Sequence, residues 1–267
     1  MARCCVSIEA AAHAAVRTRM TLPRVVRAET LDELAADDPV AQRSRRDLRR
    51  VHVAMGTRRM LLRALRELPA LAASTAPEGR RAPLRVLELG AGDASLMLGV
   101  ARALGPLWGA VEFTVLDRQA LVAPATVAAY ARLGWRVTVA VRDVFDWAAE
   151  SRAPGSPRWD VIVANLFLHH FEGAALGAVL GAMAARAGHC VACEPRRSRL
   201  ALVGSHLVGA LGANAVTRGD AVLSVHAGFS GTELTRAWPR AGAAWRTQEY
   251  AAGLFSHCFV AERIEVP

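Results

Sequence analysis

Four acidic side chains and one histidine pair carry the chemistry of this sequence. Glu88 stands inside the apolar run Val86-Leu87-Glu88-Leu89, and Gly90 and Gly92 follow at once. A carboxylate in such a run is costly unless something pairs with it. Placed just before a glycine turn, it repels a pyrophosphate and can hold a cationic ligand. Asp117 ends the run VEFTVLD, Asp143 follows WRVTVAV, and Asp160 opens DVIVAN. Any one of these carboxylates can serve only as a turn or helix cap, which is common after strands. Glu88, Asp117 and Asp143 together, each at the end of a strand-like run, point instead to one ligand-holding edge. His169 and His170 come just after DVIVAN. Histidine titrates near neutrality and can take a proton from a phenol. The other reading is that one of them caps or packs the next helix. Adjacent side chains do not face the same way, so at most one of the pair is a candidate base.

The elements that must position these groups can be read from the pattern. Strand one is expected at about 84–89, buried on both faces, with a helix over about 94–104 stopped by Gly105-Pro106. Further strands are expected at about 111–116, 136–141, 159–164 and 190–193. Helices are expected at Pro124 to Leu133, Val144 to Ala149, about 173–187 with Gly188 ending it, and about 198–212. Ser230-Gly231-Thr232-Glu233 has the form of a capping box opening a helix through Trp238, and Thr30-Leu31-Asp32-Glu33 repeats that form near the N-terminus. Trp245–Tyr250 and Ser256–Ile264 suit an antiparallel hairpin. Alternating strands and helices predict an α/β fold: a doubly wound, mostly parallel sheet of seven strands ending in that hairpin, with ligands at the carboxyl ends of the strands.

The series Glu88-x-Gly90-x-Gly92, Asp117, Asp143 and Asn165-Leu166 at successive strand ends resembles the class I, Rossmann-like S-adenosylmethionine-dependent methyltransferases. The resemblance covers about 84–266. It implies S-adenosylmethionine as cofactor and S-adenosylhomocysteine as product. Gly90 and Gly92 would let the methionine portion approach, with Glu88 near its ammonium group. Asp117 would accept from the ribose hydroxyls, and Asp143 with Val144 would meet the adenine amino group. Asn165 and Leu166 would lie beside the transferring methyl. Ala94 departs from the usual third glycine but keeps a small residue there. Asn165-Leu166-Phe167-Leu168-His169-His170-Phe171 is similar to the strand-four exit of small-molecule methyltransferases of quinone, phenolic-lipid and secondary-metabolite pathways. The Asn/Asp-Pro-Pro-aromatic run of nucleobase amine methyltransferases is absent. The implied activity is methyl transfer to oxygen or carbon of a small apolar or aromatic metabolite. Glu194, Arg196, Arg197 and His226 are the candidate substrate residues, on a connection at 196–243 that should border the substrate site. Leu200, Leu202, Val203, Leu207, Val208 and Leu211 could line it, or pack as plain helix core.

Composition bounds the rest. A chain of 267 residues with 53% hydrophobic residues buries a substantial core without disulfides. All 33 basic residues are arginine, and the net charge of +9 permits nucleic acid, anionic lipid or an acidic substrate without choosing among them. Residues 1–28 are expected to be disordered, and 29–83 to form a helical extension and linker before the domain at 84–267. The arginine cluster Arg43, Arg45, Arg46, Arg49 and Arg50 lies on that extension, as a solvated helix face or an RNA anchor. An RNA methyltransferase, a non-catalytic cofactor-binding partner module and an NAD-dependent oxidoreductase are thus the competing readings. Cys190 and Cys193 are spaced like a ligand pair but fall on opposite faces of a strand, so no metal set is expected. No secretory signal or membrane span is evident, which suits a cytoplasmic location. A homodimer is compatible with the sequence.

Overall fold

The computed structural model describes residues 22–68, 82–151 and 155–264. Seven strands form one sheet: β1 Leu84–Leu89, β2 Val111–Asp117, β3 Trp135–Val141, β4 Trp159–Asn165, β5 Ala187–Pro195, β6 Trp245–Ala252 and β7 Ser256–Arg263. Their spatial order is β3-β2-β1-β4-β5-β7-β6. Strands β1 to β5 run parallel, and β7 turns back antiparallel between β5 and β6. The expected doubly wound sheet with a terminal hairpin is therefore what the chain forms. The chain leaves β1 for β2 on one side and later returns to β4 on the other. The carboxyl ends of β1 and β4 thus flank the switch point, where doubly wound sheets open a crevice.

Alternation along β1 explains the two layers. Val86 packs into one apolar cluster and Leu87 into the other, because successive side chains leave opposite faces. Among the described residues the helices are α1 Thr30–Glu33, α2 Pro39–Met55, α3 Thr57–Arg66, α4 Ser95–Trp108, α5 Pro124–Ala131, α6 Val144–Glu150, α7 Gly173–Arg186, α8 Arg199–His206, α9 Ala215–Ala227 and α10 Glu233–Ala237. On the first face α3 and α4 cover the sheet with Leu61, Leu65, Met97 and Leu104, and Trp108, Trp135, Tyr130 and Phe113 form an aromatic block at its edge. On the second face α6 and α7 bury Trp147, Leu180 and Met183 against Leu87 and Ile162.

Several local expectations are corrected. Helix α4 runs across Gly105-Pro106 to Trp108 and ends at Gly109, because a proline late in the last turn removes only one helical hydrogen bond. Strand β5 starts at Ala187, so Gly188 lies in the strand rather than at a helix end. Thr30 is no N-cap: it is the first residue of α1, and the amides of Thr30 and Leu31 both donate to the Asp220 carboxylate at 2.9 Å. In the second box only half forms. Glu233 accepts from the Ser230 amide at 3.0 Å, but Thr232 occupies the N-cap, and the amides of Leu234 and Thr235 donate to Glu249. In both places a distant carboxylate outcompetes the local hydroxyl.

The expected helix at 198–212 is α8 followed by a 3-10 turn, Leu207–Leu211, and between it and α10 the connection holds a further helix, α9. Asn214 caps α9, its side chain accepting from the Thr217 amide at 2.8 Å.

Of the stretch expected to be disordered, residues 1–21 lie outside the described part, as do 69–81 of the linker. Residues 22–28 instead form an extended strap. The Arg24 guanidinium donates to the carbonyls of Ala227 at 2.8 Å and Phe171 at 2.9 Å and stacks 4.4 Å over Phe229. The Val25 amide donates to the His226 carbonyl at 3.1 Å. These contacts, with the Leu22 carbonyl accepting from Arg197, offset the entropy of ordering such a segment. No described helix is long and apolar enough to cross a membrane.

Candidate active site

A cavity of about 900 Å³ opens over the carboxyl ends of β1 and β4. The sheet supplies its floor, the β1–α4 turn one wall, and α8 and α9 the opposite wall. The strap, α1 and α2 form its roof, contributing among others Glu29, Asp32, Arg49, His52 and Met55.

The glycine turn is built for close approach. Gly90 has φ of +65°, and its amide donates to the Leu116 carbonyl at 2.9 Å. A Cβ on Gly90 would sit 2.2 Å from the Phe167 ring. Gly92 has φ of +56° and donates its amide to Asp117 at 2.8 Å. The other Asp117 oxygen accepts from the Gln119 amide at 2.9 Å. Asp117 therefore ties the end of β2 to the turn after β1 and still faces the cavity. Ala94 adopts the left-handed conformation that a third glycine would take with less strain, φ of +56°. Its carbonyl accepts from the buried Tyr130 hydroxyl at 2.8 Å, which holds that conformation in place.

Two buried oxygens at the switch point have no hydrogen-bond partner among the described residues. Glu88 is 3% exposed and its Oε2 is unpaired; Asn165 is 8% exposed and its Oδ1 is unpaired. Both residues line the cavity. Burial, reinforced by the charges of Asp117 and Asp93, pushes the Glu88 carboxyl up to about 8. An acceptor left unpaired in the interior is expensive, so the pair describes a socket for a ligand that brings a cation and N–H donors. Asp143 caps α6, accepting from the Phe145 amide at 2.6 Å, so the capping role holds for this residue while its side of the cavity also includes Val144. Leu166 lines the cavity with φ of +50°, an unusual value for a residue with a Cβ. Glu88, Gly90, Gly92, Asp117, Asp143, Val144, Asn165 and Leu166 are thus brought to one cavity.

The two histidines divide. His169 is buried between two carboxylates: Nδ1 lies 2.8 Å from Glu194 Oε2, and Nε2 lies 3.3 Å from Glu29 Oε1. Burial pushes its pKa down, but the hydrogen bonds and charges of Glu194 and Glu29 outweigh that and carry it up to about 9. His170 lies on the cavity wall with Nδ1 3.5 Å from Asp32, and burial together with the neighbouring His169 lowers its pKa. His52, also on the wall, is held neutral by burial, its pKa near 4.

The residues expected to meet substrate do not face the cavity. Glu194 is fully buried beneath it, and its carboxylate accepts from the amides of Phe167, Leu168 and His169 as well as from His169 Nδ1. It shapes the strand-four exit. Arg197 is buried and paired with Glu233, and donates to the carbonyls of Leu22 and Gly228. Its charge holds the strap and the α9–α10 turn together. Arg196 bridges to Phe229, and the backbone of His226 holds the strap; neither side chain lines the cavity. Of the apolar candidates, Leu207, Val208 and Leu211 line it, whereas Leu200 and Val203 are exposed away from it.

Sequence reasoning missed Glu29, Asp32, His52, Asp220 and Ser224, all on the cavity wall. For α9 the Asn214 cap was a usable signal. For Glu29 and Asp32 there was none, because their role exists only once the strap packs against the end of α9 and the segment after β4. The arginine cluster also resolves: Arg49 pairs with Asp93 at 2.9 Å, Arg50 with Asp47 at 3.1 Å, and Arg45 donates to Gln119 at 2.9 Å and the Ala36 carbonyl at 2.8 Å. Arg49 and Arg45 thus tie the roof to the β1–α4 turn and to the segment after β2, while Arg50 pairs within α2.

Comparison with known proteins gives no match to a family model and none to a curated protein sequence. Solved structures are similar. An O-methyltransferase family protein from Burkholderia thailandensis is 17% identical, with a TM-score of 0.49, covering 86% of this chain and 63% of its own. Magnesium protoporphyrin IX methyltransferase from Synechocystis PCC 6803, solved with bound S-adenosylmethionine, is 13% identical, with a TM-score of 0.45 and 85% coverage of each chain. The CurJ carbon methyltransferase is 18% identical, with a TM-score of 0.42, covering 86% of this chain and 56% of its own. The chain thus spans less than two thirds of the Burkholderia protein and of the carbon methyltransferase.

Proposed function

We propose that this chain is an S-adenosylmethionine-dependent methyltransferase that moves a methyl group to oxygen or carbon of a small apolar or aromatic metabolite. One observation carries the reading: Glu88 Oε2 and Asn165 Oδ1, both buried and without a partner among the described residues, at the switch point of this strand order. Together they ask for an ammonium, whose N–H groups would meet both oxygens and draw Glu88 into its charged form, whereas the pyrophosphate of a nicotinamide dinucleotide would bring only acceptors there. Gly90 and Gly92 leave room for the backbone approach, Asp117 offers acceptor lone pairs for ribose hydroxyls, and Asp143 and Val144 border the place of the base.

When bound, S-adenosylmethionine supplies an activated methyl group on a sulfonium. The protein's own work is then alignment, exclusion of water and handling of the acceptor's proton. The strap, α1 and α2 roof the site and exclude water. Leu207, Val208, Leu211, Phe167 and Phe171 give the acceptor end an apolar lining. His170, beside Asp32, is then the candidate to take the acceptor's proton, while His169, held between Glu194 and Glu29, keeps its own and fixes the wall beside it.

The test is calorimetric titration with S-adenosylhomocysteine and, separately, NADH. Micromolar binding of the former alone supports the reading; binding of NADH alone overturns it. Turnover is then followed by mass spectrometry of phenolic and enolic acceptors incubated with S-adenosylmethionine.

A further inference from the structure

We propose that Glu29, His169 and His170 form a binding site for one divalent transition-metal ion at the acceptor end of the cavity. The three residues offer a carboxylate oxygen and two imidazole nitrogens, all within 4.8 Å of one another. Zinc and its neighbours take such ligands at about 2.0–2.2 Å, so two atoms on one tetrahedral ion lie about 3.4 Å apart. Glu29 Oε1 and His169 Nε2, 3.3 Å apart, already stand at that separation, and the set as a whole has to close by at most about 1.4 Å.

The surroundings are those of a metal site rather than of a plain ion pair. A metal-bound histidine commonly donates its other ring N–H to a carboxylate, which fixes the tautomer and aims the free nitrogen. Here Glu194 takes His169 Nδ1 at 2.8 Å and is itself held by three backbone amides. That leaves Nε2 as the ligand atom. Ser224 hydrogen-bonds the same Glu29 oxygen, and Asp32 stands 3.5 Å from His170 Nδ1. Four carboxylates, Glu29, Asp32, Glu194 and Asp220, converge here; Arg118 lies 3.9 Å from Asp32, and among the described residues no arginine pairs with Glu29 or Glu194. An ion held by Glu29 and His169 would displace the proton that lies between them.

All three ligands line the cavity, so positions on the ion not taken by protein face the apolar chamber. Three protein ligands with open positions are the pattern of ions that take substrate as a ligand. The acceptor class that fits is one presenting a phenolate or enolate oxygen, with a second oxygen able to chelate. That assignment of use rests on the methyl-transfer reading; binding of the ion does not. No spacing rule reveals the set, because Glu29 and His169 are 140 positions apart.

The test is titration of the full-length, chelator-stripped protein with CoCl₂, read by visible absorption, and with ZnCl₂, read by calorimetry, in the absence of S-adenosylmethionine. One equivalent should bind with micromolar affinity or better. Glu29→Gln and His170→Ala should each weaken it at least about tenfold while far-UV circular dichroism and the melting curve stay cooperative. Absence of saturable binding overturns the proposal. So does unchanged affinity in both variants, or a thiolate-to-cobalt charge-transfer band, which would put the ion on cysteine and needs no variant to detect. S-adenosylhomocysteine binding, measured on the same metal-free protein, keeps a failure here separate from failure of the methyltransferase reading.

Discussion

Replacing Glu88 by glutamine should move stability and ligand affinity in opposite directions. In the folded protein the carboxyl holds its proton to about pH 8, against 4.5 for an ordinary glutamate, because burial and then the charges of Asp117 and Asp93 oppose ionisation. Between those two values the native state binds the extra proton. Stability therefore falls as pH rises through the window. At about 1.4 kcal/mol for each factor of ten, full ionisation opposes folding by on the order of 5 kcal/mol. Glutamine carries no such cost. Glu88→Gln without ligand should be little changed at pH 4, more stable than wild type by about 2 kcal/mol at pH 6, and by on the order of 5 kcal/mol at pH 9. Binding should do the reverse. An ammonium seated against the carboxylate favours its charged form, so the ligand must expel the proton below pH 8. Wild-type affinity for S-adenosylhomocysteine should then rise up to about tenfold per pH unit from 6 to 8 and level off. The variant should lose a charge-assisted hydrogen bond of about 1.5–3 kcal/mol, or roughly 10- to 150-fold in affinity at pH 8, with no pH dependence below it. Calorimetry in two buffers of different ionisation enthalpy reads both affinity and protons released. Wild-type affinity in Glu88→Gln, or no proton release at pH 6.5, would refute the reasoning.

Asp117→Ala should cut S-adenosylhomocysteine affinity by about 100-fold or more, since it removes the ribose acceptor and frees the Gly92 and Gln119 amides; equilibrium titration checks it. Gly90→Ala should abolish binding, because its Cβ would meet the Phe167 ring at 2.2 Å from a backbone with positive φ; thermal-shift response to the ligand is the readout. Glu194→Gln should destabilise the protein by about 3–5 kcal/mol, seen as a drop in Tm on the order of 10 °C, because a buried charge paired with His169 and three amides is lost. Arg24→Ala should loosen the strap, removing its bonds to Ala227 and Phe171 and its stacking on Phe229; faster hydrogen exchange across residues 22–30 would register it.

The sheet and its ligand-facing edge were legible in the sequence because both rest on short-range pattern. Apolar runs of strand length, glycines at the β1–α4 turn and carboxylates at strand ends are local properties, and they placed Glu88, Gly90, Gly92, Asp117 and Asp143 on one cavity. The sequence also identified the histidine pair, but could not separate its members. That separation depends on Glu194 and Glu29, two carboxylates that reach His169 from β5 and from the strap. The same holds where sequence reasoning erred. Arg197 looked like a substrate cation, yet the fold offered it Glu233 and two carbonyls first. Thr30 looked like a cap, yet Asp220 reached its amide from 190 positions away. What the chain determined by itself was the order of its strands' chemistry. Which polar group meets which, and hence what roofs the site and what its histidines do, was decided by tertiary structure, because buried charges take the partner that folding brings nearest rather than the one nearest in sequence.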